Sequence, residues 1–395
     1  MRILIALTYY RPHVSGLTIY VERLAHALAT RGHQVTLLTS QYDRALPRYE
    51  NDQGVDVMRV PVVWRVSKGV VMPTIGWHAT RLALSHDVLN LHLPQFDAAG
   101  LALRGRLFKR PVVLTYHSDL ALPPSFAHWL AGHVIALSHR VALRLADVIV
   151  TNTEDFAQHS PVLSRYRAKV SAIPPPIEIP FPTPDSCAMF RAKFNLDGSG
   201  PLIGVVGRLS AEKGVEYLLA ALPAILARFP NASVVHVGPR EPVGEATYSQ
   251  RLAPLLARHR DKYRFIGVVT TEELAAFFAS CAVHVLPSVN STETFGMVQV
   301  EAALCGTPTV ATALPGVRMA TQMTGMGCVV PPRDAPALAD AICEVLAHRA
   351  EYVRPQAEIA RQFAPATIAA RYEALFERLR AHRAGADNLN TGEHA

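Results

Sequence analysis

The chain has 395 residues, of which 50% are hydrophobic and 18% charged. This length exceeds what one compact core usually holds and predicts two domains, and the composition excludes an intrinsically disordered protein. The formal net charge is +7. Residues 1–170 hold 19 Lys and Arg against 11 Asp and Glu, a net of +8. The basic first half predicts an anionic partner or a membrane surface, with a scattered solvated surface as the alternative.

The five cysteines show no metal-ligand spacing, so we predict reduced thiols in a reducing compartment. The apolar part of the N-terminus is too short for a signal peptide. No uninterrupted apolar run approaches the roughly 20 residues of a membrane span. We predict a cytoplasmic protein, with peripheral attachment at the inner face of the plasma membrane as its only membrane contact.

The first forty residues predict a β-α-β unit. A buried strand at 2–7 is followed by a loop with Pro12 and Gly16, then by a helix, and then by a strand at 34–39. Apolar residues recur in the helix at the i, i+3, i+4, i+7 spacing of a core-facing surface. Further predicted elements of this half are a strand at 112–116, a helix at about 136–145 and a strand at 147–151.

A proline-rich segment separates two such patterns. Residues 173–185 contain six prolines, which no helix or central strand tolerates, and we predict a linker there. Strands again alternate with helices after it, and Thr270 with Glu273 indicates a capping box at the start of a helix. The fold class is therefore α/β, with two doubly wound parallel sheets. The strands predicted in the second half lie at 202–207, 233–238, 263–267, 282–287 and 308–312, and helices at 271–280, 295–305 and 366–380.

Ligands of open α/β sheets bind beyond the carboxyl ends of the strands. Two polar groups in each half directly follow a predicted strand, and two sheets that face each other across a cleft would bring all four together. The groups are the Pro12–Gly16 loop, His117 with Ser118 and Asp119, the segment 208–213, and the segment 288–293.

The sequence GRLSAEKG, residues 207–214, places Arg208 and Lys213 around the entrance of a helix. A lysine at a helix N-terminus opposes the helix dipole, and a bound anion reverses that effect. Arg supplies a two-pronged donor and Lys a point charge, a pairing that suits a diphosphate. The alternative is a solvated loop whose charges have no ligand.

The stretch ETFGMVQVE places Glu293 before a helix and Glu301 about two turns into it. First-turn amides of Phe295, Gly296 and Met297 are donors for a ligand, and glycine permits its close approach. Carboxylates accept hydrogen bonds from adjacent hydroxyls, so the layout suits a nucleotide-sugar. In the alternative, Glu293 only interacts favourably with the helix dipole, and Glu301 is exposed to solvent. The apolar neighbours of Glu301 argue against its exposure.

These motifs together resemble the retaining glycosyltransferases of family 4. The resemblance rests on ETFGMVQVE followed by GTPTVAT and LPG, and in order before it on PHVSG, RGHQVTLLT, LTYHSD, GRLSAEKG, RFIG and LPS. It covers roughly residues 1–380. It implies the GT-B fold, in which two Rossmann-like domains face a central cleft. One departure is Ser15-Gly16, where the family often has Gly-Gly, and we expect the loop to differ in shape or to contribute the serine hydroxyl.

The resemblance also implies a domain plan. Residues 1–180 would bind the acceptor and residues 181–365 the nucleotide-sugar. A helix at 366–383 would pack back on the first domain. The polar composition of residues 384–395 separately predicts a disordered tail.

Roles carry over only where residues match the motifs. Arg208 and Lys213 would hold the diphosphate, and Glu301 the ribose. The donor sugar would contact Glu293, the amides of Phe295, Gly296 and Met297, and, near the reacting carbon, His117. Gly16 would approach the phosphates, the nucleobase would pack near Gly267 and Val268, and Asp119 is a further candidate that could instead cap the next segment.

The implied reaction moves a hexosyl unit from a UDP- or GDP-sugar to a hydroxyl of a glycan or lipid-linked acceptor, with retained configuration. It needs no cofactor and no metal, since the two cations replace a divalent ion. Partners would be the donor and the acceptor, with membrane contact through the basic first half and no nucleic acid. Two alternatives stay open: a nucleotide-sugar epimerase of the same architecture, and a non-catalytic nucleotide-sugar binding protein.

Overall fold

The computed structural model describes residues 1–66, 69–119, 126–196, 198, 200–240 and 246–391. The chain divides into two compact units. The N-terminal domain comprises Met1–Pro176 and the segment from Phe363 onward, and the C-terminal domain comprises Ile177–Gln362. The division lies inside the proline-rich segment, because a run of prolines cannot join either sheet.

The described residues of the N-terminal domain before the division form short alternating elements. The strands are β1 (Arg2–Ala6), β2 (Gln34–Gln41), β3 (Tyr49–Asp52), β4 (Val55–Pro61), β5 (Trp64–Val66), β6 (Gly69–Val71), β7 (Val88–Leu93), β8 (Val112–Tyr116), β9 (Val148–Thr151) and β10 (Val170–Ala172); the helices are α1 (Gly16–Thr30), α2 (Ile75–Ser85), α3 (Ala98–Leu107), α4 (Phe126–Leu145) and α5 (Glu154–His159).

Eight of these strands form one sheet in the order β10-β9-β8-β7-β1-β2-β4-β3. All neighbours are parallel except β3 and β4. Strand β1 lies between β2 and β7, so the strand order reverses at its two sides. Residues 3–6 of β1 are fully buried, as expected for a parallel strand covered on both faces.

The described residues of the C-terminal domain repeat this architecture. Its strands are β11 (Leu202–Val206), β12 (Ser233–Val237), β13 (Tyr263–Gly267), β14 (Val283–Leu286), β15 (Thr309–Thr312) and β16 (Gly327–Val330), and its helices are α6 (Pro184–Lys193), α7 (Val215–Arg228), α8 (Ala246–Arg258), α9 (Thr271–Ser280), α10 (Met297–Leu304), α11 (Val317–Thr324), α12 (Ala335–Ala347) and α13 (Gln356–Phe363).

The sheet of the C-terminal domain has the order β13-β12-β11-β14-β15-β16, all parallel. Numbered within the domain, this order is 3-2-1-4-5-6, the doubly wound arrangement of dinucleotide-binding folds. The predicted capping box at the start of α9 is confirmed, since the side chains of Thr270 and Glu273 each accept from the other's backbone amide. Both domains are therefore the doubly wound α/β units that the sequence predicted.

The last helix, α14 (Pro365–Thr391), belongs to the N-terminal domain. Its residues Ile368, Tyr372 and Phe376 are fully buried in the same hydrophobic cluster as helix α1. The helix continues through 384–391, part of the predicted disordered tail, because no proline interrupts that stretch. Residues 392–395 lie outside the described residues. None of the helices in the described part of the chain is long and apolar enough to cross a membrane.

Candidate active site

Two loops of the C-terminal domain meet where its strand order reverses. The loop after β11 holds Arg208 and Lys213, and the loop after β14 leads to Glu293. Strands β11 and β14 are neighbours, and the amide of Val289 donates to the carbonyl of Glu212 at 3.0 Å. A ligand of such a sheet is expected beyond the carboxyl ends of these strands. The topology therefore joins two groups that lie eighty residues apart in the sequence.

Gly214 makes the close approach of the two loops possible. Its φ of 63° lies in the left-handed region, where side chains cost energy. A Cβ atom on this residue would lie 2.2 Å from the carbonyl oxygen of Pro287. Only glycine fits between the loops, and helix α7 starts at the next residue.

Lys213 and Glu293 are in direct contact. Lys213 Nζ lies 2.5 Å from Glu293 Oε2, and about a fifth of each side chain remains exposed. The two residues have separate predicted roles, toward the diphosphate and the sugar, and the structure joins them in one ion pair. The pair fixes the position of the ammonium group, which still has donors for a second anionic partner.

Arg208 is held by its own loop. Its guanidinium donates to Glu212 Oε1 at 2.7 Å, and the buried Ser210 hydroxyl donates to the same oxygen at 2.6 Å. Burial favours the neutral form of Glu212, but the Ser210 hydrogen bond and the charges of Arg208 and Lys213 outweigh it and lower the pKa of this carboxyl. The acid is therefore ionised and anchors Arg208, while about half of the arginine side chain stays exposed.

His236 in β12 contacts the start of this loop. Its Nε2 donates to the Gly207 carbonyl at 2.9 Å, and its Nδ1 accepts from the Tyr263 hydroxyl at 2.8 Å. Burial, with a smaller contribution from the charge of Lys213, lowers the pKa of His236 to about 4, so the ring is neutral at neutral pH. A Cβ atom on Gly238 would lie 2.1 Å from the Gly207 oxygen, so the ends of β11 and β12 pack backbone to backbone.

Helix α10 begins at Met297, with Gly296 at its N-cap position and φ of 74°. The buried Gln299 fixes this turn: its amide nitrogen donates to the carbonyls of Phe295 and Val317, each at 3.0 Å. Its amide oxygen accepts from the Thr321 hydroxyl at 2.6 Å. Both ends of the Gln299 side chain are thus used to position the turn that carries Phe295, Gly296 and Met297.

Glu301 stands one turn into α10, not two, because the helix begins at Met297. It is 6% exposed, as its apolar neighbours predicted. Gly267 ends β13 with a φ of 80°, and its carbonyl accepts from the Gly238 amide at 2.8 Å. The side chain of Val268 is 77% exposed. Binding of ribose by Glu301 and of a base near Gly267 and Val268 stays a prediction.

The N-terminal domain carries a separate group of predicted residues. His117 follows β8, and its Nε2 lies 2.8 Å from Nδ1 of the fully buried His92 in β7. The Tyr20 ring packs edge-on against His117, with 4.8 Å between ring centres. Burial lowers the pKa of His117 to about 3, so its imidazole is neutral at neutral pH.

The other predicted residues of the N-terminal domain have local partners. Ser15 is extended, with φ of −152°, and its hydroxyl accepts from the Thr18 amide as the N-cap of α1. The serine hydroxyl thus contributes to this loop by capping the helix, and Gly16 is the first residue of the helix. Asp119 Oδ1 accepts from the hydroxyls of Tyr116 and Ser160, each at 2.8 Å, whereas its Oδ2 is buried without a hydrogen-bond partner among the described residues.

Three supporting residues were missed by the sequence analysis: His92, His236 and Gln299. Each is polar within an apolar stretch, and that is the signal that could have found it, because a buried polar side chain needs partners. Their partners, however, come from other elements of the fold and cannot be located in the sequence.

Comparison with known proteins agrees with this architecture. Residues 15–176 match the glycosyl transferase 4-like domain, and residues 200–348 match the glycosyl transferases group 1 domain. The phosphatidyl-myo-inositol mannosyltransferase of Mycobacterium leprae is 26% identical over 92% of both chains. The D-inositol 3-phosphate glycosyltransferase of Geodermatophilus obscurus is 29% identical over 85% of this chain and 78% of the relative. The structure of Anabaena HepE with UDP superposes with a TM-score of 0.75 at 18% identity, covering 96% of this chain and all of HepE.

The chain therefore belongs to the family 4 type of glycosyltransferases and has the GT-B fold. The sequence prediction of family and fold is confirmed.

Proposed function

We propose that this glycosyltransferase moves a hexosyl unit from a UDP- or GDP-sugar to a hydroxyl of a glycan or lipid-linked acceptor, with retained configuration and without a metal ion. The observation that carries the proposal is the Lys213–Glu293 pair beside Arg208, at the strand reversal of a doubly wound sheet. This position combines two cations for a diphosphate with a carboxylate for hydroxyl groups.

The two cations would do the main electrostatic work. Negative charge grows on the leaving diphosphate as the bond to the sugar breaks, and fixed donors aimed at that charge lower the barrier. Lys213 is fixed by Glu293, and Arg208 by Glu212. In the proposed step, the leaving phosphate accepts the proton of the acceptor hydroxyl on the same face of the sugar.

The remaining roles are proposals of the same kind. Glu301 would bind the ribose, and the turn at Phe295, Gly296 and Met297 would donate to the sugar beside Glu293. A main-chain contact at Gly267 and Val268 would hold the base. In the N-terminal domain, Gly16 would approach the phosphates, and His117 would donate a hydrogen bond to the sugar.

The named relatives support parts of this proposal. The HepE structure contains UDP, which supports a nucleoside-diphosphate donor. The names of the two relatives describe transfer to inositol-containing acceptors, one a phosphatidyl lipid and one a phosphate. Both agree with a polyol hydroxyl as the acceptor and with phosphate near it.

A donor panel tests the proposal. The purified protein is mixed with UDP and GDP sugars, and the melting temperature, the release of nucleoside diphosphate and the anomeric configuration of the product are measured, with and without EDTA. We expect one donor to stabilise the protein and to be consumed equally with EDTA, giving a product of unchanged anomeric configuration. Inversion, or inhibition by EDTA, would contradict the proposed mechanism. An epimer formed from the donor alone would indicate the epimerase, and binding without turnover a binding protein.

We also propose that helices α2 and α3 contact an anionic membrane. Four large apolar side chains on these packed helices are 47–67% exposed, and exposed basic residues lie on or directly after the same helices. Such a mixture suits an acidic lipid surface. The apolar residues are Trp77, Leu84, Leu103 and Leu107, and the exposed basic residues are Arg81, Arg106 and Lys109.

Vesicle sedimentation tests this surface. The protein should bind vesicles with phosphatidylglycerol at low salt, less at high salt, and not vesicles of phosphatidylcholine alone. The double variant Trp77→Ser/Leu107→Ser should bind less than a matched variant on the other domain, Met189→Ser, whose methionine is also exposed (73%). Equal binding of both variants would contradict the assignment.

A further inference from the structure

His92 and His117 form a pair of neutral imidazoles joined by one hydrogen bond. The two ring nitrogens, His92 Nδ1 and His117 Nε2, are 2.8 Å apart. His92 is fully buried, whereas His117 keeps part of its surface exposed. Burial lowers the pKa of both rings, so each holds one proton at neutral pH. One of the two rings must therefore donate in this bond, and the other must accept.

The surroundings of His92 decide which ring donates. Within the described part of the chain, its second nitrogen, Nε2, is buried and has no hydrogen-bond partner. If His117 donated, His92 would carry its proton on Nε2, and a buried N–H would be left unpaired. Unpaired buried N–H groups are the rarer exception in proteins, whereas a bare acceptor is better tolerated. The arrangement therefore favours His92 as the donor.

We infer that His92 is a positioning residue that donates from Nδ1 to Nε2 of His117 and so fixes the proton of His117 on Nδ1. His117 is then a neutral hydrogen-bond donor through Nδ1, and it does not serve as a base through Nε2. This inference rests on the proposed role of His117 at the donor sugar, for which an N–H that meets a sugar oxygen is the useful form.

The packing around the pair keeps this geometry. The Tyr20 ring stands edge-on to both imidazoles, with ring centres 5.9 Å from His92 and 4.8 Å from His117. The backbone amide of His117 donates to the carbonyl of Leu93, the residue after His92, at 3.2 Å. The side-chain bond and the backbone bond both link the end of β7 to the residue after β8.

The tautomer can be measured without any substrate. Protein labelled with ¹⁵N in histidine is recorded by two-bond ¹H–¹⁵N correlation at neutral pH, and His117 is assigned by its loss in His117→Gln. We expect the proton of His117 on Nδ1 in the unaltered protein. A proton on Nε2 would overturn the inference even if every variant failed to fold.

Variants of His92 then test the positioning role. His92→Phe fills the space without a donor, and we expect the His117 proton to move to Nε2 and kcat to fall by about 10-fold, the rate equivalent of one net hydrogen bond. His92→Asn keeps a donor near the place of Nδ1 and should restore the Nδ1 proton and most of kcat. His86→Asn alters another buried histidine of this domain and should change neither.

The two readouts separate this inference from the proposed function. If no sugar donor is turned over, the proposed function fails, but the tautomer of His117 still reports the effect of His92. If His92→Phe leaves the Nδ1 proton in place, the positioning role is wrong, whatever the activity of the variant.

Discussion

At the scale of single residues, the Lys213–Glu293 pair is the feature from which most of the proposed chemistry follows. Both side chains are mostly buried, and each neutralises the other in the absence of a ligand. Removing one partner of such a pair also leaves the other unpaired. A single substitution therefore mixes two effects, the lost cation and the orphaned carboxylate, and the design of a test must separate them.

We expect Lys213→Ala to lower kcat/KM for the sugar donor by about 100- to 1000-fold, as for loss of one preorganised donor to a transition-state charge. The double variant Lys213→Ala/Glu293→Gln should be at least as impaired, because it removes the orphaned charge and a proposed sugar contact without restoring the cation. Steady-state kinetics measure both.

Lys193→Ala is the matched control. Lys193 forms an ion pair with Glu273 on the same domain, but its side chain is 60% exposed, far more than that of Lys213. It should keep the kinetics of the unaltered protein. Recovery of activity in the double variant would show that Lys213 only neutralises Glu293, and the diphosphate role would then be wrong.

At the scale of elements, the start of α10 is the clearest case of a turn whose geometry depends on contacts with other parts of the fold. Gly296 has a positive φ, and a Cβ atom there would lie 2.5 Å from Leu286 and 2.6 Å from the Gln299 amide. The turn is closed by Gln299, which reaches the Phe295 carbonyl on one side and α11 on the other. The turn that we propose binds the donor therefore depends on a side chain that need not touch the donor.

Gln299→Met keeps the volume of this side chain but removes its donors and its acceptor. Because two buried carbonyls lose this donor and the buried Thr321 hydroxyl loses its acceptor, we expect the free energy of unfolding to fall by about 1–3 kcal/mol. We also expect KM for the donor to rise more than kcat falls. Urea denaturation and kinetics measure the two effects. Gln250→Met on the exposed surface of α8 should have neither effect, and an unchanged KM in Gln299→Met would disprove the link to the donor.

Helix α14 gives a second test at this scale. The buried Tyr372 hydroxyl bonds the Tyr20 hydroxyl at 2.8 Å and the Thr115 hydroxyl at 3.1 Å. Thr115 donates to Asn90 Oδ1, so Tyr372 must donate to Thr115 and accept from Tyr20. Tyr372→Phe should lower the free energy of unfolding by about 1–3 kcal/mol because the Tyr20 donor is left unpaired. Tyr49→Phe, on a tyrosine that is 63% exposed, should not; equal stability of the two variants in urea would contradict this.

The elements also show how far the sequence could predict this molecule. Five of the six strands described after residue 200 were predicted to within one residue, because each is a short apolar run between breakers. The sixth, β16, was not predicted. The elements of residues 44–100 were not predicted. In this region β3 pairs antiparallel to β4, and β5 pairs with β6 outside the main sheet. Such an arrangement gives no distinct period of apolar residues in the sequence. The site loops were found from strand ends. The direct contact between Lys213 and Glu293 could not be predicted from the sequence, because it depends on β11 lying beside β14.

At the scale of the whole molecule, buried neutral histidines couple the fold to pH. His236 and His284 are fully buried in the C-terminal sheet, and burial, followed in each case by the charge of Lys213, lowers their pKa values to about 4 and about 3. The Gly207 carbonyl works in the opposite direction at His236 without reversing the shift. An unfolded chain protonates histidine near pH 6.5. Between these values the unfolded state binds more protons than the folded state, so stability falls as the pH falls.

When the pH falls from 7 to 5, we expect each of these two histidines to lower the free energy of unfolding by about 2 kcal/mol. His284→Leu should reduce the pH dependence, because it removes one such proton while leaving only the Thr309 hydroxyl, 3.1 Å from His284 Nδ1, without this partner. Urea denaturation at pH 7, 6 and 5 measures the slope. His348→Leu is the surface control, at a histidine half exposed on the same domain, and should keep the slope of the unaltered protein. If His284→Leu also keeps that slope, His284 is protonated in the folded protein, and its burial as a neutral ring is disproved.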